Sequence, residues 1–267
     1  MKMSSLISVI CTTYNRPDAL SAVLMGLMRQ TDTTFEVVIA DDGSTIQTQE
    51  VISKYQSQAK FRIIHAWQED RGFRAAAARN LAFSKTQGEY ILLLDGDCIP
   101  SPHWIEHHRY IAEKHWSVPG QRILTSKIFC DQILKSNNFV SVFDWSPSSF
   151  RKLYKQKFVN RWEPSFYFGL QHCSFWRKLT PHNWRKARSC NWGIWREDFS
   201  SVNGFNESLV GWGHEDADLA IRLMKAGVNF KSGSFATAVL HLWHKEESRQ
   251  NAERNWKLAT SNLSKKN

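Results

Sequence analysis

The amino-acid sequence predicts an α/β domain: a mostly parallel sheet flanked by helices on both faces. Three features carry that prediction. Apolar, β-rich runs alternate with amphipathic ones over the first hundred residues. The apolar runs are continuous rather than alternating, as strands buried on both faces must be. Three of the runs end on polar residues (Thr12-Thr13-Tyr14-Asn15, Asp41-Asp42 and Asp95-Gly96-Asp97), where an open α/β sheet places its ligand.

The elements follow in order. Leu6 to Thr13 is a first strand, and Asn15-Arg16-Pro17-Asp18 turns into a helix with Pro17 near its first position. That helix, to about Gln30, carries Leu20, Val23, Leu24, Leu27 and Met28 on one stripe. Phe35 to Ala40 is a second strand, and Ser44 is placed to cap a helix running through Tyr55. Phe61 to Trp67 is a third strand, Arg74 to Lys85 an alanine-rich helix, and Glu89 to Leu94 a fourth strand. Further on, Glu215, Asp216 and Asp218 fill the first turn of a helix whose buried stripe is Leu219, Leu223 and Met224, and which Gly227 ends. The polar stretch from Ser248 to Asn267 reads as a helical tail without chemistry. The expected organisation is one catalytic domain over 1–247 followed by that tail, with a binding half to residue 120, an inserted segment over 121–189 and a second half over 190–247.

A chain of 267 residues, 42% of them hydrophobic, excludes a disordered or collagen-like protein. Its longest apolar run, Tyr90 to Leu94, is far short of the ~20 residues of a membrane span. The N-terminal apolar stretch is too short for a signal peptide, and five scattered cysteines without CxxC suit reduced thiols in the cytoplasm. The net charge of +10 points to acidic partners. All of it is supplied by residues 121–190, which hold 13 Lys and Arg, 3 Asp and Glu, and 14 aromatics. That segment suits an anionic acceptor pocket or attachment to an anionic membrane surface at the inner membrane face.

No GxGxxG follows the first strand and no GxxxxGK[ST] is present, which disfavours a dinucleotide oxidoreductase and excludes a P-loop. Asp95-Gly96-Asp97 instead brings two hard oxygen ligands together at a buried strand's end, suited to Mg²⁺ or Mn²⁺ bridging to phosphates; the plainer reading is a turn. Asp41 or Asp42 could accept a hydrogen bond from a base. Arg71, Arg74 and Arg79 of RGFRAAAARN could meet phosphate, or could form a solvated basic face. Gly211-Trp212-Gly213 followed by Glu215 and Asp216 offers an aromatic platform beside a candidate general base. His241 and His244, three apart on a strand, are expected to face opposite sides, so that both would not easily bind one metal. His103, His107 and His108 read as surface or site-edge residues.

The order TTYNRP, ADDGS, RGFRAAAARN, LLLDGDCIP, SCNWGIWREDF, NGFNE and GWGHEDADLAIRLMKAG resembles family 2 glycosyltransferases of the GT-A fold. The last block, with the later HLWH, also resembles the carboxyl-terminal region of β-1,4-galactosyltransferases and of bacterial chondroitin-type polymerases. The resemblance runs from Leu6 to about Lys245, with a gap over 121–189. It implies an inverting transferase using Mn²⁺ or Mg²⁺ and a UDP-sugar donor, acting on a glycan or lipid-linked acceptor of the bacterial surface. Carried over by position, Thr12, Thr13 and Asn15 line the nucleotide pocket, and Asp42 or Asp41 holds its uracil or ribose end. Arg71 and Arg79 lie near the diphosphate. Asp95 approaches the ribose or the metal, and Asp97 ligates the metal with His244, or with His241. Asp216, after Glu215, removes the acceptor proton, and Trp212 shapes the sugar pocket. His214 stands where many relatives have Gly. Two other classes compete: a nucleic-acid-binding protein using the basic aromatic segment, and a nucleotidyltransferase, which the GWGHED block does not suit.

Overall fold

The computed structural model describes residues 5–136, 138–163, 174–245 and 249–264. A seven-stranded sheet forms the centre, in the order β3-β2-β1-β4-β8-β6-β9. Its first four strands, β1 (Ile7–Thr13), β2 (Phe35–Asp41), β3 (Ile63–Trp67) and β4 (Tyr90–Asp95), are all parallel. Helices α1 (Pro17–Met28), α2 (Ile46–Gln58) and α3 (Ala75–Ser84) connect them. The four expected strands and three connecting helices are therefore present, with ends shifted by a few residues. Ser44 does not cap α2: Thr45 holds the cap position, and the Ser44 hydroxyl accepts a hydrogen bond from the Asn15 N–H (2.9 Å).

The next part of the chain extends the central sheet and adds a second, smaller one. β5 (Cys98–Pro100), α4 (Trp104–Ile111), β6 (Trp116–Pro119), β7 (Gln121–Leu124), α5 (Lys127–Lys135), α6 (Pro147–Lys155) and α7 (Ser174–Arg177) precede β8 (Asn191–Trp195). β8 is antiparallel to both β4 and β6, so the sheet is mixed beyond β4. α8 (Arg196–Ser201), α9 (Glu215–Lys225), β9 (Asn229–Phe230), β10 (Ala238–His241) and α10 (Ala252–Ser264) complete the chain. A small second sheet, β5-β10-β7, lies beside the end of β4. The basic aromatic segment is described except for 137 and 164–173, and Cys173 lies outside the described residues. The four described cysteines are buried and free.

The continuous apolarity of the strands has its reason in two cores. Ile7, Val9 and Cys11 of β1 join Val37, Ile39, Leu92 and Leu94 on one face, with α1 and the small sheet. Ile10 joins Val38, Ala40, Ile91 and Leu93 on the other, against α3 and α9. Alternate residues thus enter opposite cores, each full side-chain burial contributing about 1.5–3 kcal/mol. Alanines 76, 78 and 82 let α3 approach the sheet closely.

Buried polar residues fix the junction of the two sheets. Asn191, at the start of β8, accepts from Trp104 Nε1 (2.9 Å) and faces His108 Nε2 (3.2 Å) through Oδ1, while its amide donates to the Gln121 and Thr237 carbonyls. His108 is fully buried, its pKa pushed down to about 3 by that burial, and His107 Nδ1 lies 2.7 Å from the Ala236 carbonyl. These two histidines are interior packing groups; only His103 remains at the surface. Among the described residues, no helix is long and apolar enough to cross a membrane.

Candidate functional site

The carboxyl ends of β1, β2 and β4 converge, as the open-sheet rule requires. At the end of β4, Gly96 passes so close to β1 that its N–H donates to the Thr12 carbonyl (2.7 Å), and a Cβ there would lie 2.8 Å from that oxygen. Only glycine allows this approach. It sets Asp95 and Asp97 on either side of a tight turn.

Asp95 turns inward. Its Oδ1 accepts from Arg79 Nη2 (3.1 Å), and Arg79 Nε donates to Thr12 Oγ1 (2.9 Å). The other guanidinium nitrogen of Arg79 reaches Glu215 Oε1 (3.5 Å) at the start of α9. Two ion pairs through one buried arginine therefore tie the end of β4 to the first turn of α9. Burial pushes the Asp95 carboxyl upward; Arg79 opposes that, and the charges of Asp97 and Asp216 add to it. Burial also raises Glu215, the Asp216 charge raises it further, and Arg79 opposes both. Asp216, the next residue, differs: its Oδ1 is buried without a hydrogen-bond partner among the described residues.

Asp97 turns the other way. Its Oδ2 is 3.3 Å from His244 Nε2 and its Oδ1 is 3.7 Å from His241 Nε2. The expectation that the two histidines face opposite sides fails because β10 ends at His241. His244 lies beyond the strand, where the two-residue period no longer applies, and the two rings come within 5.2 Å. Burial lowers the His241 pKa and so favours the neutral imidazole that binds metal. The ligand atoms of Asp97, Cys98 and His241 lie within 4.8 Å of one another. Cys98 is the weaker donor, because burial and the adjacent Cys190 thiol hold its pKa well above the ordinary value, so the thiol keeps its proton. One carboxylate with two imidazoles is a donor set that fits Mn²⁺, and Mg²⁺ less well.

Around β1 and β2 the polar residues form a third group. Asp41 is interior: its carboxylate accepts from the Ser44 N–H (2.8 Å) and lies 2.7 Å from His65 Nε2. Asp42 accepts from the Arg74 N–H (2.7 Å) and from the Gln68 amide (2.5 Å), and burial raises its pKa. Asn15 Oδ1 accepts from the Thr45 N–H (2.9 Å). The Thr13 hydroxyl is buried without a partner among the described residues.

The two candidate arginines differ in their surroundings. Arg79 is 4% exposed and engaged by Asp95, Glu215 and Thr12. Arg71 is exposed and paired with Glu69 (2.7 Å), on the loop whose Asp70 accepts from the Tyr14 hydroxyl (2.9 Å) at the end of β1.

The loop before α9 is held by a part of the chain that carries no chemical signature. Gly211 (φ +83°) lies against Asn251, where a Cβ would come within 2.3 Å of its side-chain nitrogen. The Asn255 amide donates to the carbonyls of Gly213 (3.1 Å) and Val210 (3.3 Å). His214, left-handed at φ +71°, packs its ring 4.9 Å from Trp256. Trp212 is partly exposed, with Arg249 5.3 Å over its ring. Helix α10 is thus docked on the loop rather than trailing from the domain. Asn255→Ala leaves two loop carbonyls without their donor and is expected to cost about 1–3 kcal/mol of stability. Catalytic rate should fall more than donor affinity; unchanged melting temperature and rate would show that α10 does not brace the loop.

An α/β domain with an acidic Asp-Gly-Asp turn, a histidine pair beside it and an acid-led helix across from it has the architecture of a GT-A sugar-transferring enzyme. The glycosyl transferase family 2 profile matches residues 8–180, and one described as the N-terminal domain of galactosyltransferase matches 171–245. The chain belongs to glycosyl transferase family 2. Together the two matches span the gap over 121–189. Hyaluronan synthase of Pasteurella multocida is 29% identical over 252 residues, covering 85% of this chain and 23% of that protein. Among solved structures, TarS of S. aureus (residues 1–349, in complex with UDP) has a TM-score of 0.63 at 17% identity, covering 96% of this chain and 65% of that one. A mannosyltransferase of Pyrobaculum calidifontis, in complex with GDP-Man and Mn²⁺, has a TM-score of 0.58 at 15% identity, covering 97% and 61%. The chain spans 23% to 52% of the length of the first curated relatives it matches.

Proposed function

We propose that this protein is an inverting, metal-dependent transferase that moves a hexose or N-acetylhexosamine from a UDP-sugar to a hydroxyl of an anionic bacterial surface glycan. The observation that carries this reading is the Asp95–Arg79–Glu215 link, which ties the turn bearing Asp97 to the helix bearing Asp216. One element would hold the leaving group and the other the attacking one. UDP in the TarS structure and Mn²⁺ in the mannosyltransferase structure support the donor and the ion.

In this reading Asp97, His241 and His244 hold the ion, which when bound neutralises charge on the leaving diphosphate. Asp216 accepts the proton of the acceptor hydroxyl. The hydroxyl oxygen bonds to the anomeric carbon on the face opposite the diphosphate, and the electron pair of the broken carbon–oxygen bond leaves with UDP, inverting the centre. Thr13, Asn15 and Asp42 line the nucleotide end, and Trp212 offers a face for a sugar ring.

The acceptor class rests on a groove of about 540 Å³ whose lining includes Leu124, Thr125, Tyr154, Lys155, Lys157 and Asn160. Thr125 joins it to the histidine pair, its hydroxyl donating to the His241 carbonyl (3.1 Å) and accepting from the Trp243 N–H (2.8 Å). Helix α6 buries Phe150 and Leu153 and exposes Arg151, Lys152 and Lys155, so it presents charge rather than an apolar face. That favours an anionic glycan in the groove over insertion into a membrane plane.

A panel of UDP-hexoses and UDP-N-acetylhexosamines incubated with the protein and Mn²⁺ tests the reading. Metal-dependent release of UDP from at least one of them is expected. Release from none, or pyrophosphate formed from UTP and a sugar phosphate, would overturn it in favour of no transfer or of nucleotidyl transfer.

A further inference from the structure

A leaving diphosphate needs cations, and three arginines near the strand ends already have acidic partners. Arg79 serves Asp95 and Glu215, Arg71 serves Glu69 on the surface, and Arg16 is paired with Asp18 (3.0 Å). Arg122 is different. It lies on β7 opposite Val239, and Leu124, two residues on, lies opposite His241. On paired parallel strands these four residues share one face. Cys98 of β5 lies opposite His241 from the other side, so the same face continues to the residue next to Asp97.

Among the described residues, the contact that orients the Arg122 guanidinium is Nη1 to the Cys190 sulfur at 3.9 Å. A thiol is a weak acceptor and occupies one of five N–H groups. Arg122 has no carboxylate within ion-pair distance among the described residues, and the residue is exposed. The strand register sets it beside the Leu124–His241 pair, and its charge acts on Asp95, Cys98 and His241. A planar fork beside a candidate metal site, free of acid partners, is the geometry that receives phosphate oxygens in a bidentate way.

We propose that Arg122 binds the β-phosphate of the donor diphosphate. The inference rests on the nucleotide-diphosphate-sugar reading above. It makes Arg122 a leaving-group residue: it stabilises charge on the departing UDP and makes no contact with the uridine.

Calorimetric titration with UDP and with uridine monophosphate, both in the presence of Mn²⁺, tests it on wild type, Arg122→Met and Arg122→Lys. Arg122→Met should weaken UDP binding roughly 10- to 100-fold, the range of a charge-assisted hydrogen bond, and leave the monophosphate within about twofold. Arg122→Lys should recover part of the loss, and the donor KM should rise in step while the melting temperature holds. Equal weakening of both nucleotides, or a lower melting temperature that accounts for the loss, would reduce Arg122 to a structural partner of Cys190 and overturn the proposal. Unchanged UDP affinity in Arg122→Met would overturn it as well, and would direct attention to the neighbouring acceptor groove. If the wild type binds no UDP, the donor reading falls and this proposal with it.

Discussion

Asp216→Asn is expected to lower sugar transfer by roughly 10²- to 10⁴-fold, the contribution typical of a positioned general base, with donor binding and melting temperature unchanged. The side chain is suited to this experiment. Its Oδ1 has no hydrogen-bond partner among the described residues, so the isosteric amide breaks no internal bond. What it removes is the capacity to take a proton. Glu215→Gln should behave differently. It weakens the ion pair with Arg79, which also holds Asp95, and so should reduce stability along with rate. Single-turnover transfer and UDP titration on both variants separate the two roles. An Asp216→Asn enzyme within a few-fold of wild type would assign the base elsewhere.

Asp97→Ala should act at the other end of the reaction. Its two oxygens lie 3.3 and 3.7 Å from the two imidazoles, so its loss leaves two imidazoles and no carboxylate to hold a divalent ion. Metal-stimulated UDP binding is expected to fall by at least roughly 100-fold, and transfer with it, because charge on the diphosphate is then uncompensated. His241→Ala and His244→Ala should each give a smaller loss than Asp97→Ala. If Asp97→Ala retains metal-dependent UDP binding, the ion sits elsewhere on the acidic turn.

The parallel half of the sheet was legible in the sequence because β1, β2 and β4 are mainly apolar runs that each end on polar residues. The acids at those ends were legible for the same reason, together with Gly96 and the acid-rich start of α9. What the sequence hid was pairing over distance. Arg79 and Glu215 are 136 positions apart, and nothing local to either shows that one guanidinium joins Asp95, Thr12 and Glu215. The histidine geometry depended on where β10 stops, and a shift of a few residues decides whether a period of two still holds. The second sheet uses strands of three and four residues, too short for any periodicity to register. Asn255 carries no motif at all; its role comes from where α10 docks. Arg122 sits in a segment whose charge reads as a surface property until the strand register brings it to the acidic turn.

If the convergent strand ends form a metal-assisted nucleoside diphosphate site, UDP binding requires the divalent ion. Calorimetric titration of the wild-type protein with UDP, with and without Mn²⁺, tests it most directly. Binding that depends on the ion and disappears with a chelator is expected. Absence of UDP binding under both conditions would contradict it.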